Sequence, residues 1–254
     1  MFSLEIIQSI VGLVTIVLAY FLVVTISGCF RAWVAVKMGD ETPAYMGFLK
    51  FSPLKHLDPF GFIFLIFLGF GWGRYIPIMP FNITGRFRKL KILIANFSDI
   101  FANLALATIS LIGLIIYFGV DVLRLSLPMM FLDSLRAVDH SGIFGLVKGI
   151  SSIKALLEVA YPTSSSFAIS MVMITIATMY LSVLLAALNF IISGFGYVYM
   201  MFNGFTHPRR YSNNFLILLI PMFLIFFFIG PLRVCVAKGI AYIAAILAKI
   251  LGFY

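Results

Sequence analysis

Long apolar runs separated by short basic stretches set the pattern of this chain. Residues 6–26 carry no charge, and at a helical rise of about 1.5 Å per residue they suffice to cross a hydrocarbon core of about 30 Å. Glu5 precedes this run in place of a basic leader, and no small-residue cleavage site follows. We therefore expect a retained transmembrane helix and not a cleaved signal. Four further apolar regions follow at 60–70, 92–118, 167–202 and 215–247. The first of these is too short to span alone, and Pro221 and Gly230-Pro231 interrupt the last. The pattern predicts an all-α polytopic membrane protein with five or six transmembrane segments. Residues 60–80 are expected to dip into the bilayer and return. Residues 147–161 place Val147, Ile150, Ile153, Leu156 and Leu157 at helical spacing, which predicts an amphipathic helix lying flat on the membrane.

Composition removes the soluble alternatives. Of 254 residues, 63% are hydrophobic and 11% charged, against roughly 45–50% and about 25% in soluble domains. The net charge of +9 would otherwise suggest a nucleic-acid partner. In an apolar chain it marks cytoplasmic loops facing anionic headgroups, so the expected partners are membrane lipids and no nucleic acid. Residues 31–91 hold nine Lys/Arg against three acids and read as a cytoplasmic or re-entrant block. The loop 120–166 balances four cations with four acids and is expected on the opposite side, and 203–254 is expected to form C-terminal helices. The whole of 1–254 then reads as one membrane domain. The two cysteines, Cys29 and Cys235, suggest neither a disulfide framework nor a thiolate metal site.

Within the basic block, Gly39-Asp40-Glu41-Thr42-Pro43-Ala44 is followed by Gly47-Phe48-Leu49-Lys50-Phe51-Ser52-Pro53-Leu54-Lys55-His56-Leu57-Asp58-Pro59-Phe60-Gly61 and by Phe70-Gly71-Trp72-Gly73-Arg74-Tyr75-Ile76-Pro77-Ile78. This order and spacing resembles the bacterial branch of the site-2 protease family, intramembrane zinc metalloproteases with GDxTA, GRLTLNPxxHxDPxG and FGWAKPVPV motifs. The resemblance implies a bacterial inner-membrane protein. It also implies a small membrane-associated β element between the first two helices, where family members receive an extended substrate strand. Residues 44–54 and 72–80 are the candidates for such an edge.

The resemblance also shows departures. The family's HExxH supplies two zinc ligands and a general base on one helix face, and counting back from Gly39-Asp40 puts Ser27, Gly28 and Arg31 there. The third ligand, an Asp beyond a late-helix Asn, corresponds to Tyr197 downstream of Asn189. Of the family's AGPxxN, only Asn103 remains, and Asp99 stands in place of a small residue. Asn96, Asp99 and Asn103 share one helix face. Arg31 is a candidate to pair with Asp99 in the volume of the lost metal. Alternatively, Asp99 caps its helix and Arg31 snorkels toward headgroups.

No catalytic residues, cofactor or metal are expected on this reading. The histidines His56, His140 and His207 lie in different loop regions, and no i, i+4 pair exists. His56 and Asp58 read as turn and interface residues, and Trp72 as an interface aromatic. Losing the HExxH positions implies a non-enzyme, a pseudoprotease that binds another integral membrane protein. One alternative is an active intramembrane metalloprotease with a relocated metal site involving His56 or His140. The other is an ion or proton conductor using Asp99.

Overall fold

The first helix, α1 (Phe2–Met38), has no proline for 37 residues. Its polar side chains are satisfied locally: Thr15, Thr25 and Ser27 donate to the carbonyls of Val11, Phe21 and Val23 at 2.6–2.8 Å. Gly39 then stops it. At φ +107°, Gly39 occupies a conformation that a Cβ disfavours, and the amides of Gly39 and Asp40 turn back to the carbonyls of Val36 and Ala35. The computed structural model describes residues 2–118, 143–160 and 164–203, with position 162 and isolated positions between 232 and 249.

The remaining helices are α2 (Thr42–Tyr45), α3 (Pro53–His56), α4 (Pro59–Leu68), α5 (Arg88–Phe118), α6 (Ile143–Ala160) and α7 (Ser166–Asn203). Three helices among the described residues are long and apolar enough to cross a membrane, within Ser9–Met38, Arg88–Leu114 and Ser166–Val198. The expected span at 215–247 and the C-terminal region beyond α7, apart from those isolated positions, together with all of 120–142, His140 and His207, lie outside the described residues. α7 is the most enclosed of the three spans. Its Val172, Met173, Ile176, Leu184 and Leu188 meet Ile16, Tyr20 and Val23 of α1 and Leu114 of α5 in one apolar core.

The segment between α1 and α5 runs down α1 and back. Phe48 packs beside Ala32, the Lys50 carbonyl reaches Cys29, His56 lies against Gly28, and Phe62 stacks near Tyr20 and Phe21. The chain reverses at Gly69, left-handed at φ 69°. It then returns past Tyr20, whose hydroxyl donates to the Trp72 carbonyl at 2.7 Å. Tyr75 reaches Arg31, Ile78 packs with Ala35, and the Met79 amide meets Asp40. From Tyr20 to Asp40 is about 30 Å of helix. The segment from Phe48 to Met79 therefore descends along α1, reverses at Gly69 and returns beside it.

Local signals explain the turn. Asp58 caps α4 by accepting the Gly61 amide at 2.8 Å, and Pro59 stands in the first turn, where a missing N–H is harmless. Gly61 and Gly71 let two backbones touch: a Cβ on Gly61 would strike the Trp72 backbone, and one on Gly71 the Gly61 carbonyl. Because the obstacle is backbone in both cases, Gly61→Ala is expected to cost about 3 kcal/mol. Detergent unfolding should show this, whereas Gly113→Ala, which meets nothing within 4 Å, serves as the neutral control.

Two expectations need correction. In place of the β element, the described residues contain one isolated antiparallel bridge, Leu57 with Gly73, and no sheet. Prolines 53, 59, 77 and 80 remove ladder donors from both arms of the dip. The amphipathic helix exists as α6, but its Val147, Ile150, Ile153 and Leu157 are buried in the common core. Val147 also lies within 3.1 Å of where a Cβ on Gly12 would stand. Its apolar face is thus used against the bundle and not against lipid.

Candidate functional site

The HExxH-equivalent turn of α1 faces α5 and the descending arm. Ser27 gives its hydroxyl proton to Val23 O at 2.8 Å. Gly28 offers no donor and is covered by the His56 ring, whose Nδ1 occupies the space of a Cβ. Arg31 Nη1 lies 2.7 Å from Asp99 Oδ2, with both residues buried. The guanidinium also lies 5.5 Å from the Tyr75 ring centroid. Asp99 sits eleven residues after the first residue of α5, too far inside to cap it. The ion pair, and not the helix end, is its environment. Asp99 Oδ1 accepts the Ile100 amide at 3.0 Å. A carboxylate held in this way does not favour an ion path through Asp99.

The other expected residues disperse. Asn96 donates to Ile92 O at 2.9 Å. Asn103 is fully buried, and both its amide atoms lack a partner among the described residues. Asn189 is half-buried on α7. Tyr197 packs edge-on to Phe97, with centroids 6.2 Å apart, and borders the small cluster of Ala35, Ile78, Ile83, Ile92 and Ala95. Trp72 stacks on Phe64 at 4.9 Å and, through its backbone, receives Tyr20. Asp58 is the cap of α4.

The zinc implied by the family resemblance does not fit the equivalent positions. A hydroxyl committed to its own helix, a glycine, a paired guanidinium and a phenol provide no ligand set for a dication. Among the described residues no group of three or more His, Cys, Asp or Glu side chains could hold a metal.

Sequence reasoning missed a polar cluster one residue along. Cys29 Sγ is 3.2 Å from His56 Nε2 and 3.4 Å from the Lys50 carbonyl, and that carbonyl is 3.3 Å from Nε2. His56 is 1% exposed and lies near Phe48, with centroids 5.8 Å apart. Burial pushes its imidazole below the ordinary range, the Lys50 hydrogen bond opposes this, and the Arg74 guanidinium adds to the lowering. The ring is accordingly neutral at pH 7. Cys29 falls inside the five-residue HExxH-equivalent stretch, a hint available from sequence, but its partner lies 27 residues away.

Asp40 is a second centre that sequence reasoning left without a role. It is fully buried. Oδ1 accepts Thr42 N at 3.1 Å, Thr42 Oγ1 at 2.6 Å and Asn82 Nδ2 at 2.8 Å, while Oδ2 accepts Met79 N at 2.6 Å. One carboxylate therefore ties the start of the dip to its end.

Comparison with known proteins adds one relative. The chain is 52% identical over 48 residues to "Putative zinc metalloprotease YwhC" of Bacillus subtilis (strain 168). The match covers 19% of this chain and 22% of that protein. No family model matches, and no solved structure does. The relative corrects one expectation: a chain read as a non-enzyme is similar, over part of its length, to a protein named as a protease.

Proposed function

We propose that this chain is a site-2-protease-like integral membrane peptidase of the bacterial inner membrane, and that its substrate is another integral membrane protein. The substrate would be held as an extended strand along residues 74–79. The observation that carries this reading is the stretched return arm. Between Gly73, beside Val24, and Ile78, beside Ala35, contacts advance eleven residues along α1, or about 16 Å. Five residues cover that distance only when nearly fully extended. Within the arm, the amides of Tyr75, Ile76 and Ile78 bond to no other backbone group among the described residues. Tyr75 is exposed while Ile76 and Ile78 are buried. Such an edge supports β-augmentation, in which backbone bonds supply affinity and side-chain pockets supply selectivity.

The partial similarity to a named metalloprotease supports cleavage as the outcome of holding. A zinc centre at positions 27, 28, 31 and 197 is not part of the proposal, because those residues do not fit one. The chain's own contribution is placement: the arm runs past Arg31, beside the turn of α1 that carries Cys29, against which His56 of α3 lies.

A photoreactive amino acid at position 75, activated in native membranes, tests the reading. We expect an adduct with one membrane protein and, in wild-type membranes, a shortened form of that protein. Both should be lost with Ile76→Pro, which removes an edge amide. Absence of any membrane-protein adduct would remove the holding site. An adduct whose partner is never shortened would remove the peptidase assignment.

A further inference from the structure

We infer that Cys29 Sγ, His56 Nε2 and the Lys50 carbonyl form a three-donor site for one tetrahedral divalent cation of the zinc and cobalt class. The inference does not depend on the strand-edge reading. It starts from the near-equilateral triangle with edges of 3.2, 3.3 and 3.4 Å. The centre of such a triangle is about 1.9 Å from each corner. An ion standing about 1 Å off its plane would make bonds of about 2.0–2.3 Å, the range of zinc to nitrogen, oxygen and sulfur. A linear two-coordinate ion such as Cu(I) needs its donors on opposite sides, which these are not. Donor chemistry agrees: a thiolate and a neutral imidazole suit a borderline-soft cation, and a lone carbonyl adds a weaker third bond. Cys29 is partly exposed, leaving the fourth position open to an outside ligand.

The surroundings hold the donors in place. Gly28 lets the His56 ring lie flush on α1, since a Cβ there would meet Nδ1. Phe48 borders the ring. Ligating histidines usually have a hydrogen bond from the second ring nitrogen, but Nδ1 here has no partner. Packing against Gly28 and Phe48 therefore has to orient the ring. When Nε2 binds the ion, Nδ1 keeps the ring hydrogen, and the thiol proton of Cys29 leaves to solvent, so binding one dication releases one proton. The Arg31 guanidinium, two residues along, is drawn off by Asp99.

The test uses the full chain in mild detergent with Cys235→Ala, leaving Cys29 as the sole thiol. Titration with Co²⁺ should give the intense visible bands of a tetrahedral ion and a near-ultraviolet thiolate charge-transfer band at one cobalt per chain, both bleached by Zn²⁺. Cys29→Ser should abolish the charge-transfer band, and Gly28→Ala, by displacing His56, should weaken cobalt binding at least about tenfold. Zn²⁺ should also slow maleimide labelling of Cys29 at least about tenfold in the otherwise unaltered chain, a readout that needs no further folded variant. Absence of the charge-transfer band, or labelling indifferent to Zn²⁺, overturns the inference.

Discussion

Replacing Asp99 by alanine is expected to destabilise the bundle by about 3–5 kcal/mol, because Arg31 would keep its charge in a buried site with its carboxylate partner gone. The pair is close, at 2.7 Å, and joins α1 to α5 at the level where the resembled family holds its metal. Arg31→Ala should cost a similar amount by stranding Asp99. The double replacement Arg31→Met, Asp99→Leu should recover to within about 1–2 kcal/mol of the parent, since a well-packed apolar pair removes both desolvation penalties. Equilibrium unfolding in mixed detergent, run as a double-mutant cycle, measures the coupling. If the double variant loses the sum of the two single losses, the residues act independently and the pair does not bridge the helices.

Asp40→Ala is expected to cost about 4 kcal/mol, because four donors lose one acceptor while the site stays buried. The Met79 amide and the Asn82 side chain come from the far end of the dip, so the loss should appear as release of the 40–82 segment before α5 and α7 separate. Protease cutting within 45–85 under native conditions is the measurement, with bundle helicity followed in parallel. Asp40→Asn should fall between wild type and alanine: its single carbonyl oxygen can replace one carboxylate oxygen, while its amide faces donors with a donor. Simultaneous loss of helicity and protease resistance would mean that Asp40 supports the whole fold and does not act as a local tie.

These two carboxylates differ in how far sequence revealed them. Asp99 attracted attention because an acid inside a lipid-length helix needs a partner, and its spacing from Asn96 and Asn103 put all three on one face. The capping alternative failed only because α5 begins at Arg88, well before the apolar run at 92–118 suggested. Asp40 was visible as part of a motif, but a motif gives order and spacing, not the identity of the donors that converge. The β element failed for a related reason. It was implied only by the family resemblance, and with prolines on both arms and the Gly61 and Trp72 backbones in close approach the described residues form one bridge. Pairing between the two arms goes no further than that bridge among the described residues.

Cys29 and His56 show the limit most directly. Neither belongs to a recognised ligand spacing, and 27 residues separate them. Reading the positions of a lost HExxH one by one made Gly28 an absence. In three dimensions its missing Cβ is the space that admits the histidine.

From sequence alone came the membrane class and the three long apolar helices, while the Asp58 cap and the glycine that ends α1, both local features, became visible only in the structure. Each follows from forces acting within a few residues: the cost of unpaired backbone in lipid, the orphan amides at a helix start and the steric freedom of glycine. Tertiary structure alone decided that Arg31 meets Asp99, that Asp40 binds both ends of the dip, that α6 packs inward and that Cys29, His56 and the Lys50 carbonyl converge. Those outcomes depend on where α1, α5 and the descending arm come to rest against one another. That geometry is set by summed packing over the whole bundle, which no local window contains.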